Sequence, residues 1–143
     1  MCNDKTIRYE VEIPDVIASM ARVNAAIDST GLDRPLQHLI QLRASQMNGC
    51  GYCVQMHTSD ARDDGETDER LDQVIVWDQV DCFSAREKAA LAWTESLTAL
   101  DAQGDLGQLR ARLREHFSER EIGALTASIA MINLWNRVNI SRH

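Results

Sequence analysis

Gln46-Met47-Asn48-Gly49-Cys50-Gly51-Tyr52-Cys53-Val54-Gln55-Met56-His57 carries two of the four cysteines, spaced C-x-x-C, and a histidine four residues after the second. Each helical residue advances about 100°, so Cys50, Cys53 and His57 fall within about 60° of one another on one face. Asn48-Gly49 can cap and turn into such a helix, placing Cys50 in its first turn. There the unpaired N–H groups and the helix dipole favour a thiolate. A low-pKa thiol, a second thiol within disulfide reach and a histidine to move protons are the parts of a dithiol redox site.

A bare C-x-x-C admits other readings. The two cysteines can be buried and inert on a helix. Cys50, Cys53 and His57 can supply three zinc ligands, although a structural site needs four and no second C-x-x-C or H-x-x-x-H follows. In thioredoxin the motif follows a strand within a βαβ pattern, and no strand pattern precedes it here.

At 143 residues the chain is expected to form one domain, residues 1–143, and its 44% hydrophobic content is enough for a core. Twenty-two acidic residues against 15 basic give a formal net charge of −7, which argues against nonspecific binding to nucleic acid or an anionic membrane. No apolar run approaches the ~18 residues of a membrane span, and Met1-Cys2-Asn3-Asp4-Lys5 lacks a signal-peptide apolar region. A cytoplasmic location is therefore expected. Reducing conditions there make a C-x-x-C catalytic or metal-binding sooner than structural. Outside the motif, Cys2 reads as an exposed terminal thiol and Cys82 as a small core residue.

Periodicity gives an all-α reading of about seven helices. Residues 1–13, with Tyr9, Val11 and Ile13 alternating, read as a short extended arm. Pro14 opens a helix whose apolar positions run from Val16 to Ile27, and Thr30-Gly31 breaks it. Asp33 caps the next helix, with Pro35 in its first turn and a stripe of Leu36, Leu39, Ile40 and Arg43. His38 sits beside that stripe, with Gln41 and Gln46 nearby. The C-x-x-C helix runs from about Gly49 to Asp63 and ends at Asp64-Gly65, where glycine supplies a left-handed cap. Thr67 opens a short helix through Leu71, Val74 and Ile75, and Trp77 reads as core or interface packing. Ser84-Ala85-Arg86-Glu87 and Ser118-Glu119-Arg120-Glu121 are capping boxes. Between the helices they open, Asp101 to Gly107 is a loop, and Leu109, Leu113 and Phe117 mark an amphipathic helix. His116 near its end suits a helix C-terminus. The last helix, from about Glu119 to Val138, is apolar around much of its circumference, which suggests burial on more than one side and an oligomer interface.

The run Leu42-Arg43-Ala44-Ser45 leading into Gln46–His57 resembles the core signature of the AhpD-like alkylhydroperoxidases, within the carboxymuconolactone decarboxylase superfamily. Gly65-Glu66-Thr67, Arg70-Leu71, Phe83–Trp93 and Ile132-Asn133-Leu134-Trp135-Asn136-Arg137 extend the resemblance along most of the chain. It implies an all-helical subunit that assembles into homotrimers or hexamers and reduces hydroperoxides with a thiol pair, needing no cofactor or metal. It assigns Cys53 as the peroxidatic thiol, Cys50 as the resolving thiol and His57 as their assistant, with a dithiol electron donor restoring the pair. Two positions depart from the family pattern. His38, twelve residues before Cys50, stands where a relay glutamate is usual, and Tyr52 replaces a histidine. If His38 substitutes in the relay, its ring should lie within hydrogen-bond or one-water reach of Cys50. The alternatives are a lactone decarboxylase of the same superfamily, whose chemistry needs no thiol pair, and a helical redox-sensing module without turnover.

Overall fold

The computed structural model describes residues 5–101 and 103–142; Cys2 lies outside them. The fold is all-α, and no strand occurs among the described residues. Its helices are α1 (Tyr9–Glu12), α2 (Pro14–Asp28), α3 (Arg34–Asn48), α4 (Gly51–Asp63), α5 (Asp68–Gln73), α6 (Ala85–Ala99), α7 (Leu106–Arg114) and α8 (Glu119–Ser141). A 3-10 segment, Val74–Gln79, continues α5 and carries a kink at Val76.

Local chemistry explains most of these boundaries. The Asp33 carboxylate accepts from the Leu36 N–H at 2.9 Å, and Pro35 occupies a position whose own N–H is not needed. Both capping boxes form: Ser84 pairs reciprocally with Glu87, and Ser118 with Glu121. The part of the expected arm at Tyr9–Glu12 is instead a single helical turn. The Ile7 N–H bonds to the Arg142 carbonyl, and the Tyr9 hydroxyl lies 2.9 Å from Ser141 Oγ, so this end of the chain packs beside the end of α8.

Helix α3 is the spine of the molecule. Leu36 and Ile40 face one apolar cluster with Trp93, Leu113, Phe117, Leu125 and Ile129. Leu39 and Leu42 face a second with Leu71, Val74, Trp77, Phe83 and Leu91. Helix α3 is thus enclosed on several sides within the subunit, and the last helix packs against α2, α3, α4, α6 and α7. Helix α8 buries Ala124, Leu125, Ser128, Ile129, Ile132 and Asn136, at helical spacing. Trp77 is buried, as core packing requires, and its indole N–H donates to Glu95 Oε1 at 2.7 Å, the same oxygen that accepts from Arg43 Nε at 2.7 Å. Cys82 is half-buried beside the second cluster, its thiol 3.4 Å from Gln73 Oε1.

Candidate active site

Gly49 creates the turn on which the site depends. It ends α3 at φ +69°, in the left-handed region, and a Cβ there would meet nothing within 4 Å. The requirement is therefore conformational, not one of space. The chain reverses at once into α4, with Cys50 as its N-cap: the Cys53 N–H points at Cys50 Sγ at 3.3 Å. Cys50 thus stands one position outside the first turn in which the sequence placed it. Cys53 is the third residue of α4, where the helix dipole favours a thiolate.

The two sulfurs are joined in a disulfide with Cα atoms 5.3 Å apart, and both residues are buried. Only Cys53 lines the adjoining cavity, a space of about 440 Å³ enclosed by α2, α3, α4 and α8. His57, one turn beyond Cys53, lines it too, as do His38, Gln41, Tyr52, Trp135 and Asn139. The volume falls within the ordinary range for a small-molecule site. Among the described residues, no group of three or more His, Cys, Asp and Glu side chains is placed to hold a metal ion.

His57 is buried, and its Nε2 has no hydrogen-bond partner among the described residues. Burial lowers its pKa to about 4; Asp60 opposes the shift and His38 adds to it. The ring is therefore neutral at neutral pH. His38 does not hydrogen-bond Cys50. Its Nε2 lies 2.6 Å from Asp64 Oδ2, which also accepts from Arg34 Nε at 2.9 Å. Hydrogen bonds from His38 and Arg34 hold the Asp64 carboxyl below the usual range. Cys53, His57 and His38 thus line one cavity, and Cys50 joins them only through its disulfide to Cys53. Gln46 instead sits 3.5 Å from Arg43, and His116 follows the end of α7 outside the cavity.

Two polar contributors to the site were not foreseen. Asn139 reaches Cys53 Sγ with its Nδ2 at 3.7 Å. Ile132, Trp135 and Asn139 follow one another at helical spacing, so extending that face past Val138 would have found it. Asp64 lies 26 residues from His38, and only tertiary structure joins them. Beneath the turn, Asn48 Nδ2 donates to Asn133 Oδ1 and Asn136 Oδ1, both at 2.9 Å, and Asn136 Nδ2 donates to Ser45 Oγ at 3.0 Å. These amides tie the α3–α4 turn to α8.

The sequence profile of the carboxymuconolactone decarboxylase family matches residues 14–96, the stretch that holds the thiol pair and both cavity histidines. The chain belongs to that family. Within the carboxymuconolactone decarboxylase family it is AhpD-like. A crystal structure of a protein of unknown function from Agrobacterium tumefaciens, whose description proposes an antioxidant defence role as an AhpD protein, matches with a TM-score of 0.91 and 32% identity over 97% of this chain and 95% of that one. YdfG of Bacillus subtilis (strain 168), itself described as uncharacterized, is 38% identical over 133 residues, 93% of this chain and 90% of its own length. The apo structure of the debrominase Bmp8 matches with a TM-score of 0.81 over 92% of this chain and 70% of its own, at 22% identity, and bears on the fold alone.

Proposed function

We propose that the protein is a thiol-dependent peroxidase that reduces hydroperoxides through the Cys50/Cys53 pair, in the manner of the AhpD-like alkylhydroperoxidases. The observation that carries this reading is the asymmetry of the pair: Cys53 lines the cavity beside His57 and His38, and Cys50 sits behind it at disulfide distance. A peroxide entering the cavity meets Cys53. Its sulfur attacks the O–O bond, becoming a sulfenic acid while the peroxide leaves as an alcohol. The Cys50 thiol then displaces water from that sulfenic acid to form the disulfide, and a dithiol donor reduces the disulfide by exchange. His57, neutral in its buried position, can accept the Cys53 proton and return it to the departing alkoxide.

Steady-state hydroperoxide consumption with dithiothreitol as donor tests the reading. The wild type is expected to turn over and Cys53→Ser to be inert; a fully active Cys53→Ser protein would refute it. The proposal extends to a cytoplasmic homo-oligomer. No helix among the described residues is long and apolar enough to cross a membrane. Val16, Met20 and Val23 of α2 form an apolar groove with Met131 and Leu134 of α8, with Val16 50% and Val23 44% exposed. Apolar surface of this kind favours a second subunit. Sedimentation at micromolar concentration should give a trimer or hexamer.

A further inference from the structure

We propose that Asp64 is a positioning residue of this site: its carboxylate holds the His38 imidazole with Nε2 as donor and Nδ1 as the free base, so that the Asp64–His38 pair takes up the thiol proton. The proposal rests on the thiol-peroxidase reading and adds a residue to its proton path.

The reasoning begins with what each atom can do. The Asp64 carboxyl is held below its ordinary range by two donors, so at neutral pH it is an ionised acceptor with no proton to give. The 2.6 Å contact from His38 Nε2 to Asp64 Oδ2 then requires the proton to be on Nε2. When the imidazole is neutral this is its one N–H, and Nδ1 carries the lone pair. That Nδ1 is buried and has no hydrogen-bond partner among the described residues, in a residue that is only 6% exposed. Buried acceptors are ordinarily satisfied, and this one belongs to a ring lining the same cavity as Cys53 and His57. The arrangement matches the logic of a carboxylate that fixes the tautomer of a catalytic histidine.

The two rings divide the work. His57 follows Cys53 by one turn and lines the same cavity as His38. The charged groups lining the cavity are Arg34 of α3, Asp28 of α2, Asp60 of α4 and Arg142 just beyond α8, and Asp64, just beyond α4, reaches it through His38. Among these, Asp64 is the one bonded directly to an imidazole. In the first half-reaction the S–O bond forms as the O–O bond breaks; sulfur is oxidised and the peroxide reduced. The thiol proton passes through imidazole to the alkoxide, and the Asp64 charge stabilises the intervening imidazolium. A bland rival is that Asp64 only ties α3 to the end of α4 through Arg34.

The test uses the reduced full-length protein as wild type, Asp64→Asn and Asp64→Glu. Nitrogen NMR reads the His38 tautomer, and iodoacetamide labelling with mass spectrometry reads the Cys53 rate across pH. The wild type should show Nε2–H. In Asp64→Asn the amide can donate to Nε2, so the tautomer should switch to Nδ1–H. Its alkylation rate should fall by about tenfold with a displaced pH profile, a small part of what the wrong tautomer costs a Ser–His–Asp site. Asp64→Glu should recover most of the rate and the wild-type tautomer. An Nδ1–H tautomer in the wild type, an unchanged rate and profile in Asp64→Asn, or an Asp64→Glu protein as slow as Asp64→Asn would each overturn the proposal. If Asp64→Asn does not fold, the wild-type tautomer and the Asp64→Glu rate still decide. Wild-type peroxide consumption is followed in parallel. Its absence would remove the peroxidase reading and leave the tautomer result standing; normal consumption without an Asp64 effect would remove only this proposal.

Discussion

The side-chain amide of Asn139 lies 3.7 Å from the Sγ of Cys53, so the last helix supplies a donor to the sulfur that faces the cavity. The same Nδ2 group donates to the Trp135 carbonyl at 3.0 Å, which fixes its direction. An amide donor stabilises a thiolate more than a thiol, because hydrogen bonds to charged partners are the stronger ones. The contact is long, so a contribution of about 1 kcal/mol is expected. Asn139→Ala should therefore slow iodoacetamide labelling of Cys53 in the reduced protein by about fivefold at neutral pH. Equal rates in the two proteins would remove Asn139 from the site.

His57 ties stability to pH. Its pKa is lowered from an ordinary 6.5 to about 4, so between those values the unfolded chain binds the proton that the folded chain refuses. The favourable contribution is complete above 6.5 and disappears as the pH falls towards 4, a loss of about 3 kcal/mol. Asp64, whose carboxyl is held down by His38 and Arg34, works in the same direction at lower pH. The Tm should fall on acidification across this window, and less steeply in His57→Gln. Parallel curves for the two proteins would show that the ring is not buried neutral.

The amides beneath the turn should matter for stability. Asn136 is fully buried, accepting from Asn48 and donating to Ser45. Asn136→Leu removes both of these bonds, leaving Asn48 with Asn133 and Ser45 with the Gln41 carbonyl, and each lost bond is worth about 1 kcal/mol. The urea midpoint should drop by an amount corresponding to about 2 kcal/mol with the m-value unchanged. A midpoint within error of the wild type would mean that these amides are not needed to seat the turn.

The cap of the last helix gives a smaller effect. Ser118 accepts from the Glu121 N–H, and the Glu121 carboxylate accepts from the Ser118 N–H. Ser118→Ala should cost about 1 kcal/mol in denaturant unfolding. No change would indicate that packing alone starts α8.

What was legible in the sequence was local. Ser84 with Glu87, Ser118 with Glu121, Asp33 before Pro35, and Gly65 at φ +95° each act within a few residues, so the chain itself displays them. The thiol pair and His57 were legible because they lie within eight residues, on α4 and its N-cap, at fixed spacing. The one-turn helix Tyr9–Glu12 was not, because its alternating apolar residues fit a strand as well and none of the four is buried. The enclosure of α3 was hidden because a stripe of leucines does not say how many neighbours will cover it. Leu36 and Leu39 turned out to serve different clusters. The His38 partner was hidden because a carboxylate 26 residues away meets it only after α3 and α4 pack. Asn139 was missed for a simpler reason: the last helix runs on to Ser141.

The most direct measurement mixes fully reduced protein with one equivalent of an organic hydroperoxide and follows peroxide loss and protein mass together. The account predicts that one peroxide disappears per chain as the Cys50–Cys53 disulfide forms, with Cys82 unchanged. It also predicts that Cys50→Ser stops at a sulfenic acid on Cys53 that dimedone traps. Peroxide that persists while both thiols stay reduced, or a trapped sulfenic acid on Cys50 instead of Cys53, would contradict it.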